Sequence, residues 1–472
     1  MRIADELAHS GDLTPRVVII GGGFAGLAAA RALKRAPVRV VLFDQRNHYL
    51  FQPLLYQVAT AALAAPDVAA PIRQLLARQA NTTVLLRAVE RVDLAQKAVH
   101  FDGGKVHYDF LILAAGAVNH YFGHDAWEAW APGLKSIDDA FEIRRRVLGA
   151  FEEAELEADP ERRKKLLTFA VVGGGATGVE LAGALAEIAT RTLTAQYRHF
   201  RPADAKVILV EGGASLLSGF PEVLRRKAKA RLEQLGVEVR LGSRVTGIDG
   251  EGVHVEAPAG AEADPSGAAA GGLGGAGGLG GLIGARTVLW GAGVRASPLA
   301  KSLGVPLDRA GRVEVSTTLH PPGHDEVFVC GDIAAMPWIK RSGEPAAQPA
   351  TTVPGVAQGG IQSGRYAAKA IRRRLAGKPA IPFAYFDKGT LATIGRASAV
   401  AQLGRWKFSG FFAWLLWVFI HIMYLASFRN RIIVLIQWTW AFITWNRPSR
   451  IILERPARWP PADGPPPPAA KP

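Results

Sequence analysis

The apolar and polar positions of the chain fall into three patterns. Residues 16–20, RVVII, are a continuous apolar run, which predicts a short parallel strand buried on both faces. GGGFAG follows, then LAAARALKR with apolar positions at helical period, then RVVLFD at 39–44 as a second strand. The same order returns from residue 168: TFAVV, GGGATG, VELAGALAEIATRTL and, later, KVILVEGG. Two strand–helix–strand units about 150 residues apart form an internal repeat, and predict an α/β protein built on two parallel sheets. The third pattern begins at residue 411. FFAWLLWVFIHIMYLASF (411–428) holds no Asp, Glu, Lys or Arg, and a second apolar run, IIVLIQWTWAFITW, covers 432–445.

Eighteen helical residues would rise about 27 Å, near the ~30 Å hydrocarbon core of a bilayer, so length alone permits a span. Three features argue against one. The second run is shorter and carries Gln437, Thr439 and Thr444. A spanning hairpin would carry Arg429 and Arg431, in the SFRNR turn, across the membrane, where Lys and Arg normally stay inside. His421, Tyr424 and Ser427 recur near one face of the first run and give it a polar side. Trp406, Trp414, Trp417, Trp438, Trp440 and Trp445 are six of the eleven tryptophans, a residue that favours membrane interfaces. From Arg396 to Arg455 there are eight basic residues and one acid, Glu454, a complement to anionic headgroups. The expectation is an in-plane helical hairpin lying on an anionic bilayer surface. A single span or a packed core helix is the alternative.

Length and composition add bounds. A chain of 472 residues has room for two or three domains. Fifty-six basic against 41 acidic residues give +15, which attracts nucleic acid, anionic lipid or anionic cofactors. The basic residues are scattered, and zinc-ligand spacing, a helix-turn-helix signature and an RNA-binding aromatic box are all missing from the sequence. No nucleic acid and no metal are expected. The runs Arg144-Arg145-Arg146 and Arg372-Arg373-Arg374 read as solvated helix faces. Cys330 is the only cysteine, which excludes an internal disulfide and a two-cysteine redox centre. The N-terminal MRIADELAHSGDLTPR lacks the apolar stretch of a secretory signal, so the nucleotide-binding part is expected in the cytoplasm. Residues 257–285 are Gly/Ala-rich and read as a flexible loop between neighbouring strands, and 456–472 as a disordered Pro/Ala tail.

The glycine clusters carry the first chemistry. GGGFAG (Gly21, Gly22, Gly23, Phe24, Ala25, Gly26) sits between a strand and a helix, where glycines permit close approach of a pyrophosphate to the helix N-terminus. Asp44 ends the next strand, placed to accept from ribose hydroxyls, and Gln45 follows it. A tight turn without a ligand is the plainer reading of the glycines. Gly173, Gly175 and Gly178 repeat the arrangement, with Glu211 ending the matching strand. An acid there repels a 2′-phosphate and predicts NADH over NADPH. Two dinucleotide sites imply one held FAD and one exchangeable nicotinamide. LILAAGA (111–117), containing Ala115, and VFVCGDIA (327–334), containing Gly331 and Asp332, resemble the flavoproteins with two dinucleotide-binding domains. In that family the matching Asp hydrogen-bonds the ribityl–phosphate part of FAD. The plainer reading of Asp332 is a helix N-cap, and that of Cys330 a small buried hydrophobe.

The missing cysteine pair excludes glutathione-, thioredoxin- and lipoamide-type relatives and sulfide:quinone oxidoreductases. Three further stretches narrow the electron acceptor: HYLFQPLLYQVATAAL (48–63), AQGGIQSGRYAAKAI (357–371) and FAYFDKGTLATIGRASAVA (383–401). With these, residues 14–455 closely resemble the type II NADH:quinone oxidoreductases, single-subunit, non-pumping NADH dehydrogenases of respiratory membranes. The AQxxxQ and DKGxLATIGR stretches are the specific part.

The resemblance implies two Rossmann-like dinucleotide-binding domains, the FAD domain split by an inserted NADH domain, plus a C-terminal membrane-associating helical segment. The expected divisions are 14–125 and 293–395 for FAD, 165–292 for NADH and 396–455 for the membrane region. Gln358 and Gln362 would line the quinone site, and Lys388 would sit near flavin and quinone. Glu180 would deliver protons. Val89 and Ala115 would contact FAD through the backbone, and Gln57, Gly293 and Ala357 belong to the same cofactor-binding set. Plainer readings exist: surface polarity or capping for the glutamines, a turn lysine for Lys388, and a first-turn acid favoured by the helix dipole for Glu180. The expected partners are NADH, a membrane quinone (ubiquinone or menaquinone) and anionic lipid, with a homodimer left open. The expected place is the cytoplasmic face of the cell inner membrane, as a peripheral protein. A soluble NADH-dependent ferredoxin- or rubredoxin-type reductase is the rival enzyme, although it leaves the apolar tail without a purpose. A nucleotide-binding redox sensor is the rival outside enzymes.

Overall fold

The computed structural model describes residues 14–256, 280–339 and 352–452. The N-terminal segment before residue 14, most of the expected 257–285 loop and the 456–472 tail lie outside the described residues.

The chain divides into two compact units, each assembled from separate stretches. The first takes the chain up to Leu50, Ala69–Val118 and Val294–Lys388. Its centre is a five-stranded sheet in the order Val327–Val329, Phe110–Leu113, Arg16–Ile20, Arg39–Asp44, Thr82–Leu86. Every neighbouring pair is parallel. The inner strands are apolar on both faces because both faces are covered, and Val17, Val18, Ile19, Leu111 and Ile112 have no exposed surface. One strand of this sheet comes from beyond residue 294, so the first domain is split around the second, as the repeat and the resemblance implied.

The second unit gathers Phe51–Val68, Asn119–Gly293 and the chain from Gly389 onward. Its four-stranded parallel sheet runs Val237–Leu241, Lys206–Glu211, Thr168–Val172, Thr287–Trp290. A three-stranded antiparallel sheet, Arg244–Asp249, Gly252–Glu256 and Gly281–Gly284, lies in the same unit. Gly281–Gly284 falls inside the stretch expected to be loop. It pairs because Ile283 supplies one apolar side chain, 4% exposed, to the core of Tyr121, Val253 and Trp290.

Two further expectations are corrected. Residues 51–68 were expected within the 14–125 segment, but they pack in the second unit. Their backbone carbonyls explain this: Val58 and Leu63 accept from Arg144, and Pro66 and Asp67 from Asn430. Arg144-Arg145-Arg146 is accordingly no solvated face. Arg144 is 6% exposed, and Arg146 donates to the Trp130 and Ala129 carbonyls and pairs with Glu142.

The apolar C-terminal runs form two helices, Phe411–Tyr424 and Phe428–Thr444. The first stops short of residue 428 because the Ser427 hydroxyl caps the next helix, accepting from Asn430 N–H at 3.2 Å. Arg429 and Arg431, expected in the turn, lie in the first turn of the second helix. Of the polar side expected of the first helix, His421 turns inward, Tyr424 stays exposed and Ser427 lies beyond the helix end. His421 stacks on Trp417 at 4.1 Å, its Nδ1 lies 2.7 Å from the Trp417 carbonyl, and burial lowers its pKa to about 4. Ala413, Trp417 and Val434 face inward, whereas Phe412, Phe419, Phe428, Ile436 and Ile443 are each more than 60% exposed. Among the described residues, no helix is long and apolar enough to cross a membrane.

Candidate functional site

The two glycine turns share one geometry. Gly21 has φ +97°, and an added Cβ would lie 2.4 Å from the Ala114 carbonyl oxygen. One added to Gly26 would lie 1.8 Å from the Gly21 carbonyl oxygen, so the helix Phe24–Ala32 sits directly on the turn. Gly23 faces open space. The second turn repeats this: Gly173 has φ +107°, Gly178 lies against the Gly173 carbonyl, and Gly175 is open. A tight turn, an open middle glycine and a close-packed third glycine form the cradle that admits a dinucleotide pyrophosphate. The residues fit FAD in the first unit and NADH in the second.

Each terminal acid locks its own turn. Asp44 accepts from Gly22 N–H at 2.6 Å and Arg46 N–H at 2.7 Å, and Glu211 accepts from Gly174 N–H at 2.5 Å and Gly213 N–H at 2.6 Å. Burial raises the Asp44 pKa against the lowering effect of these bonds. Gln45 is exposed beside Asp44.

Around the first cradle the chain is close-packed. Gly331, at φ +75°, donates its N–H to Ser363 Oγ at 3.1 Å, and its missing Cβ faces Ala25. Asp332 sits beside Gly355 in a single turn, and Ala334–Ala335 beyond it is extended. Gly364, in the helix Ala357–Leu375, lies against the Ala25 carbonyl, which sets that helix beside the glycine-loop helix. Ala357 is its first residue. Phe24 meets Tyr49 edge-on, Ala115 lies against Gly21, and Val89 opens the strand Val89–Asp93. Cys330 is buried, donates to the Ser363 carbonyl at 3.6 Å, and has its thiol pushed up to about 12.

Gln358 and Gln362 act as a clamp. Gln362 Nε2 donates to the Phe386 carbonyl at 2.8 Å, while its Oε1 accepts from Phe386 N–H at 2.9 Å. Gln358 Oε1 accepts from Lys388 N–H at 2.9 Å, and its Nε2 lies 3.4 Å from Asp387 Oδ1. One helix turn thus holds residues 386–388 by their backbone and leaves the Lys388 side chain exposed. Neither capping nor unengaged surface polarity describes these glutamines.

In the second unit, Glu180 is the fifth residue of the helix Ala176–Glu187, beyond its first turn. Some of its surface stays accessible, but protein surrounds the carboxyl on most sides. The lost hydration pushes its pKa up to about 8, against a backbone hydrogen bond from Thr393. Thr393 also leads to residues the sequence did not single out. Its Oγ1 lies 3.1 Å from the Tyr56 hydroxyl, which accepts from Gln57 Nε2 at 3.0 Å. Gln57 Oε1 accepts from Trp438 Nε1 at 2.7 Å. The Gln57 side chain is thus bound within the second unit. A buried hydrogen-bonded series runs from the strand beside Glu180 to the second apolar helix. Gly293, also in this unit, leaves room for Phe122, 2.8 Å from where its Cβ would stand. The sequence signals for the series were weak: Tyr56 and Gln57 lie in an apolar segment, and Thr393 in the DKGxLATIGR stretch. Among the described residues no His, Cys, Asp or Glu cluster could hold a metal.

Residues 15–369 match the pyridine nucleotide-disulphide oxidoreductase family, and residues 388–444 match the NDH2 C-terminal domain. The chain is 45% identical to the type II NADH:quinone oxidoreductase Ndh of Mycobacterium tuberculosis, covering 94% of this chain and 91% of that protein. Its identity to NdhA of the same organism is 44%, covering 91% and 87%. The structure of NDH2 from Plasmodium falciparum in complex with NADH shares the fold, with a TM-score of 0.79 at 20% identity over 93% of this chain and 100% of that one. The family's disulphide chemistry is absent here, since Cys330 has no partner cysteine in the chain. Two dinucleotide cradles, the glutamine clamp and the matched C-terminal domain converge on one conclusion: the chain belongs to the type II NADH:quinone oxidoreductases.

Proposed function

We propose that the chain oxidises NADH and passes two electrons through FAD to a membrane quinone, without itself moving protons across the membrane. The observation that carries the reading is the pair of dinucleotide cradles in a chain that has no cysteine pair and that carries two C-terminal helices with outward apolar faces. FAD, when bound, supplies the two-electron chemistry that links NADH to the quinone. The chain's own residues do the rest. The Gly173–Gly178 cradle holds the NADH pyrophosphate, and Glu211 places negative charge where NADPH would carry its 2′-phosphate. Gln358 and Gln362 set the 386–388 segment, and the exposed Lys388 ammonium stabilises negative charge that develops during reduction.

Quinone reduction consumes two protons. Glu180, with a pKa near 8, holds one at neutral pH and can release it, as a general acid must. Tyr56 and Thr393 are hydroxyls placed to orient and resupply it. The outward apolar faces of Phe411–Tyr424 and Phe428–Thr444 lie on the bilayer, with the chain on the cytoplasmic side. A homodimer is compatible with this reading.

Glu180→Gln in the FAD-loaded enzyme tests the relay. Quinone-dependent turnover should fall roughly 100-fold, the scale of a lost general acid, while NADH binding stays unchanged. Full turnover in this variant would remove Glu180 from the mechanism. Faster oxidation of NADPH than of NADH would remove the role given to Glu211.

A further inference from the structure

The second unit carries an arginine-lined cleft that the redox chemistry does not use. Its volume is about 510 Å³, within the range of small-molecule sites. Arg191 comes from just beyond the Glu180 helix, Arg231 from the last turn of the helix Glu222–Gln234, and Arg396 from the turn after strand Thr390–Thr393. Trp445, one residue past the second apolar helix, closes the side. The Arg396 guanidinium lies 3.9 Å from the centre of the Trp445 ring and 4.1 Å from that of Phe442. Arg191 lies 5.6 Å from the Trp445 ring.

The charge is not balanced from within. Among the described residues Glu187 is the one carboxylate lining the cleft, and it already accepts from Arg447 Nη2 at 3.1 Å and from the Arg396 backbone N–H. Arg396 Nη1 and Arg231 Nε are buried and have no hydrogen-bond partner among the described residues. Helix C-termini attract cations and explain one arginine each, but not three guanidinia gathered around one cleft whose carboxylate is already engaged. Planar guanidinia meeting in one space match a phosphate group.

Two observations select the kind of phosphate. The cleft lies about 20 Å along the helix from Gly175, so it is separate from the NADH cradle. Ile443, 71% exposed, and Trp440, 58% exposed, stand on the turn of helix that leads to Trp445. The anion site therefore adjoins the outward apolar face. An amphipathic ligand satisfies both, and free phosphate only the first.

We propose that this cleft binds the headgroup phosphate of an anionic glycerophospholipid, an assignment that rests on the reading of the apolar helices as a membrane surface. The test titrates the FAD-loaded enzyme with soluble dihexanoyl-phosphatidylglycerol, dihexanoyl-phosphatidylcholine and inorganic phosphate, by calorimetry. Phosphatidylglycerol should saturate a single site, with the other two probes at least roughly tenfold weaker. Arg191→Gln with Arg231→Gln should weaken phosphatidylglycerol roughly tenfold and leave turnover with NADH and a short-chain quinone unchanged. Arg191 is exposed, so R191Q alone provides a folded variant with a smaller loss.

Equal affinity for phosphatidylcholine, or no response to the substitutions, overturns the site. Phosphate binding as tightly as phosphatidylglycerol overturns the lipid assignment. Flotation with phosphatidylcholine vesicles containing phosphatidylglycerol separates the two readings. Enzyme that floats but shows no saturable lipid site keeps the membrane reading and loses the cleft. Enzyme that saturates but does not float keeps the cleft and loses the membrane reading.

Discussion

Glu180 shows how one residue couples position to chemistry. Its carboxyl is raised from the ordinary 4.5 to about 8 by lost hydration. Between those values the folded protein holds a proton that the unfolded chain has released. The stability this group contributes is complete below about pH 4.5 and is lost as pH rises through about 8. Glu180→Gln removes that dependence. Its melting temperature should nearly match the parent near pH 5 and exceed it near pH 9, by the equivalent of roughly 4 kcal/mol. A constant difference across that range, by scanning calorimetry, would deny the shift. The glycines give a second residue-scale prediction. Gly175→Ala adds a methyl to open space and should keep its melting temperature while raising KM for NADH roughly tenfold. Gly178→Ala drives a methyl into the Gly173 carbonyl and should destabilise the fold itself, which thermal melting will separate from the first case. The glycines and terminal acids were legible because strand, turn and helix are contiguous. Tyr56, Thr393 and Trp438 were not, because their bonds join residues hundreds of positions apart.

At the scale of elements, the glutamine helix and the apolar hairpin carry different tasks. Spacing alone put Gln358 and Gln362 on one face, but only the fold shows both amides held by backbone groups of 386–388. Hydropathy marked both apolar runs, yet it could not tell inward from outward faces. That distinction comes from packing of Trp417, Val434 and Asn430 within the second unit. The hairpin's far end is tied by Arg447, whose Nη1 donates to the Thr60 carbonyl at 2.8 Å and whose Nη2 pairs with Glu187. Arg447→Ala leaves a buried carboxylate without its cation and should cost about 3 kcal/mol or more in denaturant unfolding. An unchanged midpoint would mean the pair is not formed in solution. Phe412→Glu with Phe419→Glu puts charge on the outward face, where both side chains are exposed, so the fold should survive. Vesicle association should be lost while turnover with a soluble quinone persists; retained flotation would place lipid contact elsewhere.

For the whole molecule, the repeat of strand, glycine turn and helix announced two dinucleotide-binding domains, and the late strand Val327–Val329 completes the first. Less legible was the allegiance of residues 51–68. Their apolar sequence suits any core, and long-range bonds from Arg144 and Asn430 decide it. NADH and quinone meet the same yellow enzyme in turn. Anaerobic stopped-flow absorbance of the FAD-loaded protein measures this directly. NADH should bleach the yellow colour in the absence of oxygen, and a short-chain quinone should restore it at a rate sufficient for steady-state turnover. Bleaching by NADH with no return of colour on adding quinone would contradict the account.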